Sequence, residues 1–260
     1  MELSGTTRRG VLKIATGVGA MVALGSTPAT AAPGDIVWET DVGDLVVSSP
    51  TVVGNTLYTG TNGSDIYAID AQTGEEEWVF ETEAYVNSSP AVVDETLYIG
   101  SNDNNVYAID RGTGDELWRF DTGDLIRSSP TISDGTLFIG NGGFEDPVET
   151  SVFAIDASTG QQEWKFETGD RVSSSPVVDD GVVLVQSWDG NLYALDTESG
   201  DSVWERQTGG GRSSPTIVDG TLFICGGGDV YALDKTTGDE RWQFETETFS
   251  SSSAPTVMDG

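Results

Sequence analysis

Ala68-Ile69-Asp70-Ala71-Gln72-Thr73-Gly74-Glu75-Glu76-Glu77-Trp78 returns as Ala108-Ile109-Asp110-Arg111-Gly112-Thr113-Gly114-Asp115-Glu116-Leu117-Trp118, and again as Ala232-Leu233-Asp234-Lys235-Thr236-Thr237-Gly238-Asp239-Glu240-Arg241-Trp242. Outward from this segment the whole chain keeps one beat. Trp38, Trp78, Trp118, Trp164, Trp204 and Trp242 are spaced by 40, 40, 46, 40 and 38 residues. Asp70, Asp110, Asp156, Asp196 and Asp234 each close an aromatic-Ala-Ile/Leu-Asp run. Pro50, Pro90, Pro130, Pro176 and Pro215 each follow Ser-Ser, and Pro255 follows Ser-Ala. Three markers held in register identify a repeat architecture, in which one unit cannot bury its apolar face alone and must stack on the next.

Each unit reads as four short strands, represented by Ser-Ser-Pro-Thr-Val-Val, Thr-Leu-Tyr-Thr-Gly, Ile-Tyr-Ala-Ile-Asp and Glu-Trp-Val-Phe-Glu-Thr, with polar turns between them. Alternating apolar and polar residues, rich in β-branched and aromatic types, favour strand over helix. The third and fourth strands are joined by Asp-x-x-x-Gly, at Asp70–Gly74, Asp110–Gly114, Asp156–Gly160, Asp196–Gly200 and Asp234–Gly238. An Asp side chain accepts backbone N–H bonds within such a turn, and Gly supplies a positive φ without steric cost. Asp70, Asp110, Asp156, Asp196 and Asp234, with Gly74, Gly114, Gly160, Gly200 and Gly238, are therefore assigned to hairpins rather than to catalysis. Four residues beyond each Gly, Trp78, Trp118, Trp164, Trp204 and Trp242 fall on the outermost strand, where an indole buries about 150–250 Å². With Trp38 they are expected to wedge between successive units.

These segments resemble the pyrroloquinoline-quinone (PQQ)-like repeat, from Ile36 to Gly260. The resemblance implies an all-β fold, a β-propeller of four-stranded blades of about 40 residues. Five complete blades are expected at about 44–83, 84–123, 124–169, 170–208 and 209–247, with two halves of a sixth at 36–43 and 248–260. Propellers of this family are commonly eight-bladed, so the expectation is a piece of a longer propeller, or else an incomplete arc with exposed edges open to a partner. The family includes quinoprotein dehydrogenases and also non-catalytic members such as the propeller lipoprotein of the outer-membrane β-barrel assembly machinery; the repeat specifies a fold and not an activity.

Residues 1–31 differ in kind. Thr7-Arg8-Arg9-Gly10-Val11-Leu12-Lys13 precedes an apolar stretch from Ile14 to Leu24 and the small-x-small site Ala29-Thr30-Ala31. This resembles a twin-arginine export signal, with Val11 where such signals most often carry Phe, and its apolar run is short of the roughly 20 residues of a spanning helix. The domain reading is thus a leader over 1–31 and a propeller over 32–260, exported to the cell surface or beyond, with no membrane span in the mature chain. The net charge is −31, with 43 acidic residues against 12 basic ones, only three of them lysine. Nucleic acid would be repelled by it. The balance resembles proteins of salt-loving archaea, because salt screens self-repulsion over a Debye length of about 3 Å at 1 M. Cys225, the single cysteine, holds the repeat position of Gly100 and Gly140 and is expected to be a small buried residue.

Function is bounded mainly by what is missing. With no histidine, His-based acid–base catalysis and haem ligation by histidine are excluded. A quinone-dependent dehydrogenase of the family would carry Ca²⁺ ligands, a catalytic carboxylate and commonly adjacent cysteines; the cysteine pair is absent. No catalytic or metal residue is assigned, the cofactor-binding residues are left unassigned, and no cofactor is expected, PQQ with calcium standing as the alternative. Ligands of propellers meet the loops at one end of the channel. These are Thr61–Asp65, Ser101–Asn105, Ser187–Asn191 and the longer Asn141–Ser151, whose six-residue insertion includes Phe144, Glu145, Asp146, Pro147 and Glu149. Their Asn, Asp and Gly content fits tight turns ahead of Ca²⁺ ligation. Trp188 is the one tryptophan off the repeat register, and is read as gap-filling ahead of ligand stacking. The leading expectation is a non-catalytic binding or scaffold module, for a protein or other extracellular ligand held at the loop face or an open edge. The alternatives are a fragment of a PQQ- and calcium-dependent dehydrogenase and a sensor domain of a larger surface protein.

Overall fold

The computed structural model describes residues 11–15, 35–143, 150–246 and 254–257, and every regular element among them is a β-strand. Strand β1 (Val11–Ala15) pairs antiparallel with β2 (Ile36–Asp41). Five four-stranded meanders follow. Blade 1 is β3 (Thr51–Val53), β4 (Thr56–Gly60), β5 (Asp65–Asp70) and β6 (Glu76–Glu81). Blade 2 is β7 (Ala91–Val93), β8 (Thr96–Gly100), β9 (Asn105–Asp110) and β10 (Glu116–Asp121). Blade 3 is β11 (Thr131–Ser133), β12 (Thr136–Gly140), β13 (Ser151–Asp156) and β14 (Gln162–Glu167). Blade 4 is β15 (Val177–Asp179), β16 (Val182–Gln186), β17 (Asn191–Asp196) and β18 (Ser202–Gln207). Blade 5 is β19 (Thr216–Val218), β20 (Thr221–Gly226), β21 (Asp229–Asp234) and β22 (Glu240–Phe244).

The expected alternation holds only on the outer strands. β10 alternates between exposed and half-buried, whereas the middle strands β8 and β9 are buried at nearly every position. A blade inside the stack has a neighbour on both faces, so its middle strands lose the solvent-facing side that alternation reports. Between blades the core is made of clusters such as Tyr58, Trp78, Leu97, Ile99 and Tyr107. Ring pairs cross the first three seams: Phe80 meets Tyr107 at 5.3 Å, Phe120 meets Phe153 at 5.6 Å and Phe166 meets Tyr193 at 5.2 Å.

The innermost strand is shorter than the Ser-Ser-Pro-Thr-Val-Val reading, because a serine side chain replaces its first rung. Ser128 Oγ accepts the Gly140 N–H at 2.9 Å and donates to the Gly140 carbonyl at 2.8 Å. Ser48 with Gly60 and Ser174 with Gln186 repeat the pattern. The second serine of each pair joins blades. The N–H groups of Ser49, Ser89, Ser129 and Ser175 donate to the hydroxyls of Ser89, Ser129, Ser175 and Ser214 at 2.9–3.1 Å. This chain of bonds carries the inner strands of all five blades around one axis. Thr216 Oγ1 donates to the Pro255 carbonyl, as Thr51 does to Pro90 and Thr131 to Pro176.

Trp38, Trp78, Trp118, Trp164 and Trp204 each pack against the hairpin of the next blade. Each ring lies on the Gly of the next blade's hairpin, so close that a Cβ added at Gly74, Gly114, Gly160, Gly200 or Gly238 would fall 2.6–2.8 Å from it. Those glycines also have φ between +71° and +78°, so both space and backbone demand glycine there. The indole N–H groups of Trp38, Trp78, Trp118 and Trp164 donate to the carbonyls of Ala71, Arg111, Ala157 and Thr197 in the adjoining turn. A one-residue bulge precedes the Trp in each blade and re-aims it, as where Ile69 faces Glu76 but Ala68 faces Trp78. Trp242 differs. It is 47% exposed and Phe244 is 63% exposed, because no described blade follows β22.

Among the described residues of the two halves of the sixth blade, β2 lies against β1 and blade 1, and residues 254–257 meet blade 5 at Thr216. Val11–Ala15 belong to the segment read as a leader. Arg8, Arg9, the Ala29–Ala31 site, the insertion at 144–149 and Met258–Gly260 lie outside the described residues. Cys225 is buried, as expected, with its N–H on Ser213 Oγ, and burial pushes its thiol pKa up.

Candidate functional site

A meander of this order sends its 1–2 and 3–4 turns to one end of the propeller and its 2–3 loops and blade-to-blade linkers to the other. At the turn end the Asp of each hairpin is consumed locally. Asp110 Oδ1 accepts the N–H groups of Gly112 and Thr113, both at 2.9 Å, and the other four repeat this bonding. These bonds hold Asp110 and Asp196 below the usual aspartate pKa, as expected of a carboxylate bound by amides. A cleft of about 800 Å³ between blades 3 and 4 is lined at this end by Asp134, Glu163, Asp179, Asp180 and Glu198. Lys235 reaches across from blade 5 to bond Asp179 and Asp180. No group of three potential ligands among the described residues is placed to share a metal ion.

At the loop end the oxygen-rich loops also turn inward. Asp103 accepts from the Asn105 N–H, the Tyr107 hydroxyl and the Glu83 N–H of the preceding linker. Asp189 does the same with Asn191, Tyr193 and Gly169. Both carboxylates are occupied in fixing a turn to the neighbouring linker. Burial, reinforced by the Asp189 bond, pushes the Tyr193 hydroxyl pKa up to about 12.

What remains accessible around the channel comes from the linkers, which sequence reading passed over. Each linker meets its own 2–3 loop through one backbone bond: Asn62 N–H to Leu45 O, Asn102 to Tyr85, Gly142 to Leu125, Trp188 to Arg171 and Gly227 to Gly210. Leu45, Tyr85, Leu125, Arg171 and Gly210 therefore hold one equivalent position around the mouth. Val47, Asn87, Arg127, Ser173 and Arg212, each just before the rung-replacing serine, hold a second. Leu45, Val47 and Tyr85 are 48%, 50% and 55% exposed, an apolar sector on blades 1 and 2. Blades 3 to 5 carry Arg127, Arg171 and Arg212 instead. Trp188 is half-buried, with the Arg171 guanidinium 4.2 Å from its ring centroid, a cation–π contact. The ring is thus held by a side chain of its own blade.

The fourth blade departs from the repeat at this end. Where Gly60, Gly100 and Gly140 make room for Val86, Ile126 and Val172 of the next linker, Gln186 stands opposite Gly209-Gly210-Gly211. Its amide fills the space and donates to Thr208 Oγ1 at 3.0 Å.

The family model described as outer membrane protein assembly factor BamB matches residues 5–119 and 102–259. A search of curated protein sequences finds no match. Among solved structures the chain is similar to BamB from Moraxella catarrhalis, at 20% identity and a TM-score of 0.71, over 90% of this chain and 67% of that one. It is also similar to the quinohemoprotein alcohol dehydrogenase ADHIIG from Pseudomonas putida HK5, at 24% identity and a TM-score of 0.68, over 79% of this chain and 42% of that one. A europium-containing methanol dehydrogenase aligns at 17% identity and a TM-score of 0.67, over 52% of its length. The chain spans only about half the length of these dehydrogenases, and at such identities the likeness is one of fold.

Proposed function

Because the chain belongs to the PQQ-like repeat family described as outer membrane protein assembly factor BamB, we propose that it is an exported binding and scaffold propeller, without catalytic activity, that engages a partner at its loop end. The observation that carries this reading is the use made of the carboxylates. The repeat aspartates and the loop residues Asp103 and Asp189 are bound into turns, while the exposed residues at the mouth are Leu45, Val47, Tyr85 and Arg212. Exposed apolar and aromatic residues beside arginine are the composition of a recognition surface. They do not form an acid–base pair. The family description, which names an assembly factor of the outer membrane, supports export and a protein partner.

Titration with PQQ and Ca²⁺ in molar salt, followed by tryptophan fluorescence on a sample with a β-type circular dichroism spectrum, tests the reading. No saturable quenching that requires Ca²⁺ is expected. Saturable Ca²⁺-dependent quenching would overturn the scaffold reading in favour of a dehydrogenase fragment.

A further inference from the structure

The four seams between the described blades are not built alike. At the first three, a linker side chain enters the end of the preceding blade, Val86 over Gly60, Ile126 over Gly100 and Val172 over Gly140, and a ring pair joins the facing sheets. On each of these seams the Trp indole N–H also donates to a hairpin carbonyl of the next blade. The seam between blades 4 and 5 departs from all three. Its linker carries Gly211 where Val86, Ile126 and Val172 stand, and Gln186 fills part of the space with its Oε1 buried and without a partner. Arg206 takes the repeat position of Phe80, Phe120 and Phe166. Trp204 lies on Gly238, yet its Nε1 is buried with no hydrogen-bond partner. Unpaired buried polar atoms are uncommon and costly. The buried cluster of this seam also holds no aromatic ring, whereas the clusters of the other three each do.

Charge crosses the fourth seam instead. Lys235 of blade 5 bonds Asp179 and Asp180 in the first turn of blade 4, and Arg206 of blade 4 bonds Glu240 of blade 5 at 2.6 Å. Ion pairs that remain in contact with water hold far less firmly than buried apolar surface. The linker is built to turn: Gly209, Gly210 and Gly211 stand at φ of +84°, +71° and +149°, conformations that cost glycine little. Gly209 donates to Gly190 of blade 4, and Gly210 accepts from Gly227 of blade 5, so the chain passes from one blade to the other within this triplet. We propose that the seam between blades 4 and 5 is a joint, at which blade 5 swings as an intact unit about Gly209–Gly211, latched by Lys235 on Asp179 and Asp180. Each blade keeps its own strand ladder, so the swing breaks no strand pairing, and a few hinge residues absorb the change in φ and ψ. The Ser175–Ser214 bond at the axis keeps the inner strands together as the pivot. Opening parts the loop-end rim of blade 5 from that of blade 4 and so sets the width of the mouth, whatever the protein binds there.

Thiol labelling tests the joint. In a Cys225→Ala background, Leu137→Cys and Leu222→Cys place a thiol at equivalent, fully buried positions of the second and fourth seams. With circular dichroism confirming the fold, at a salt concentration that keeps it, Leu222→Cys should label about tenfold faster than Leu137→Cys. Hydrogen exchange on the same sample should show the amides of β20 and β21 opening more slowly than that thiol, as expected of a blade that moves without unfolding. Lys235→Gln, which removes the latch, should speed labelling of Leu222→Cys roughly threefold and leave Leu137→Cys unchanged. Arg111→Gln alters the net charge equally but breaks a pair within blade 2, and should change neither. Equal labelling at the two seams overturns the proposal. So does a thiol at Leu222→Cys that opens no faster than the β20 and β21 amides, which would mean that blade 5 unfolds, or a Lys235→Gln effect of the same size at both seams.

Discussion

The single residue that joins sequence to architecture most directly is the first serine of each Ser-Ser-Pro. At Ser48, Ser128 and Ser174 its hydroxyl does the work of a backbone amide and carbonyl together, and Ser88 and Ser213 accept the matching N–H of Gly100 and Cys225; Ser88, Ser128, Ser174 and Ser213 are fully buried. Ser128→Ala removes the acceptor of the buried Gly140 N–H, and an unsatisfied buried donor costs about 1–3 kcal/mol. A urea titration in molar salt should show that loss. The tryptophans separate by position in the same way. Trp164→Ala should destabilise by about 3–5 kcal/mol, the cost of emptying a buried aromatic site. Trp242→Ala should change stability by less than about 1 kcal/mol, because half of its ring is already in solvent. Equal losses for the two variants would contradict the wedge assignment.

At the scale of elements, the hairpins were legible because their chemistry is local: Asp accepts within four residues and Gly turns the chain. The bulge before each Trp and the three-residue inner strand were not, since a bulge adds no residue type of its own and a serine rung reads as a polar loop. Loop and strand are also tied together by tyrosine. Tyr193 is buried in the core and bonds Asp189 at 2.7 Å, which raises its pKa to about 12, above the ordinary value of about 10. A raised folded-state value makes its stabilisation complete below pH ~10 and progressively lost as pH rises toward 12. Absorbance at alkaline pH should therefore show that Tyr193→Phe removes a phenol ionising above the ordinary range, and the same variant should lessen the loss of stability over that interval.

For the whole molecule the dominant long-range force is self-repulsion. A charge of −31 on 260 residues opposes compaction until counter-ions screen it. Thermal melting should move upward between about 0.1 M and 1 M potassium chloride; screening worth about 2 kcal/mol lifts the midpoint by roughly 4–8 °C for a chain of this size. A midpoint independent of salt would show the surface charges to be already balanced by local geometry. The uncovered face of blade 5 belongs to this scale as well, because Trp242 and Phe244 carry the residue types of a seam but no described blade lies against them.

By itself the sequence determined the repeat, the strand order within a blade, the hairpins and the place of the wedge tryptophans. All of these follow from turn chemistry and side-chain size within about 40 residues of chain. The tertiary structure alone decided the rest. Arg127, Arg171 and Arg212 are separated by 44 and 41 residues and become one charged sector only because the serine bonds set successive linkers side by side. The middle strands of the inner blades are buried on both faces because each of those blades has a neighbour on either side. The loop carboxylates were withdrawn from the surface because linkers from the preceding blade supplied amides for them to accept. Each of these outcomes depends on which blade lies beside which, a property that no single repeat contains.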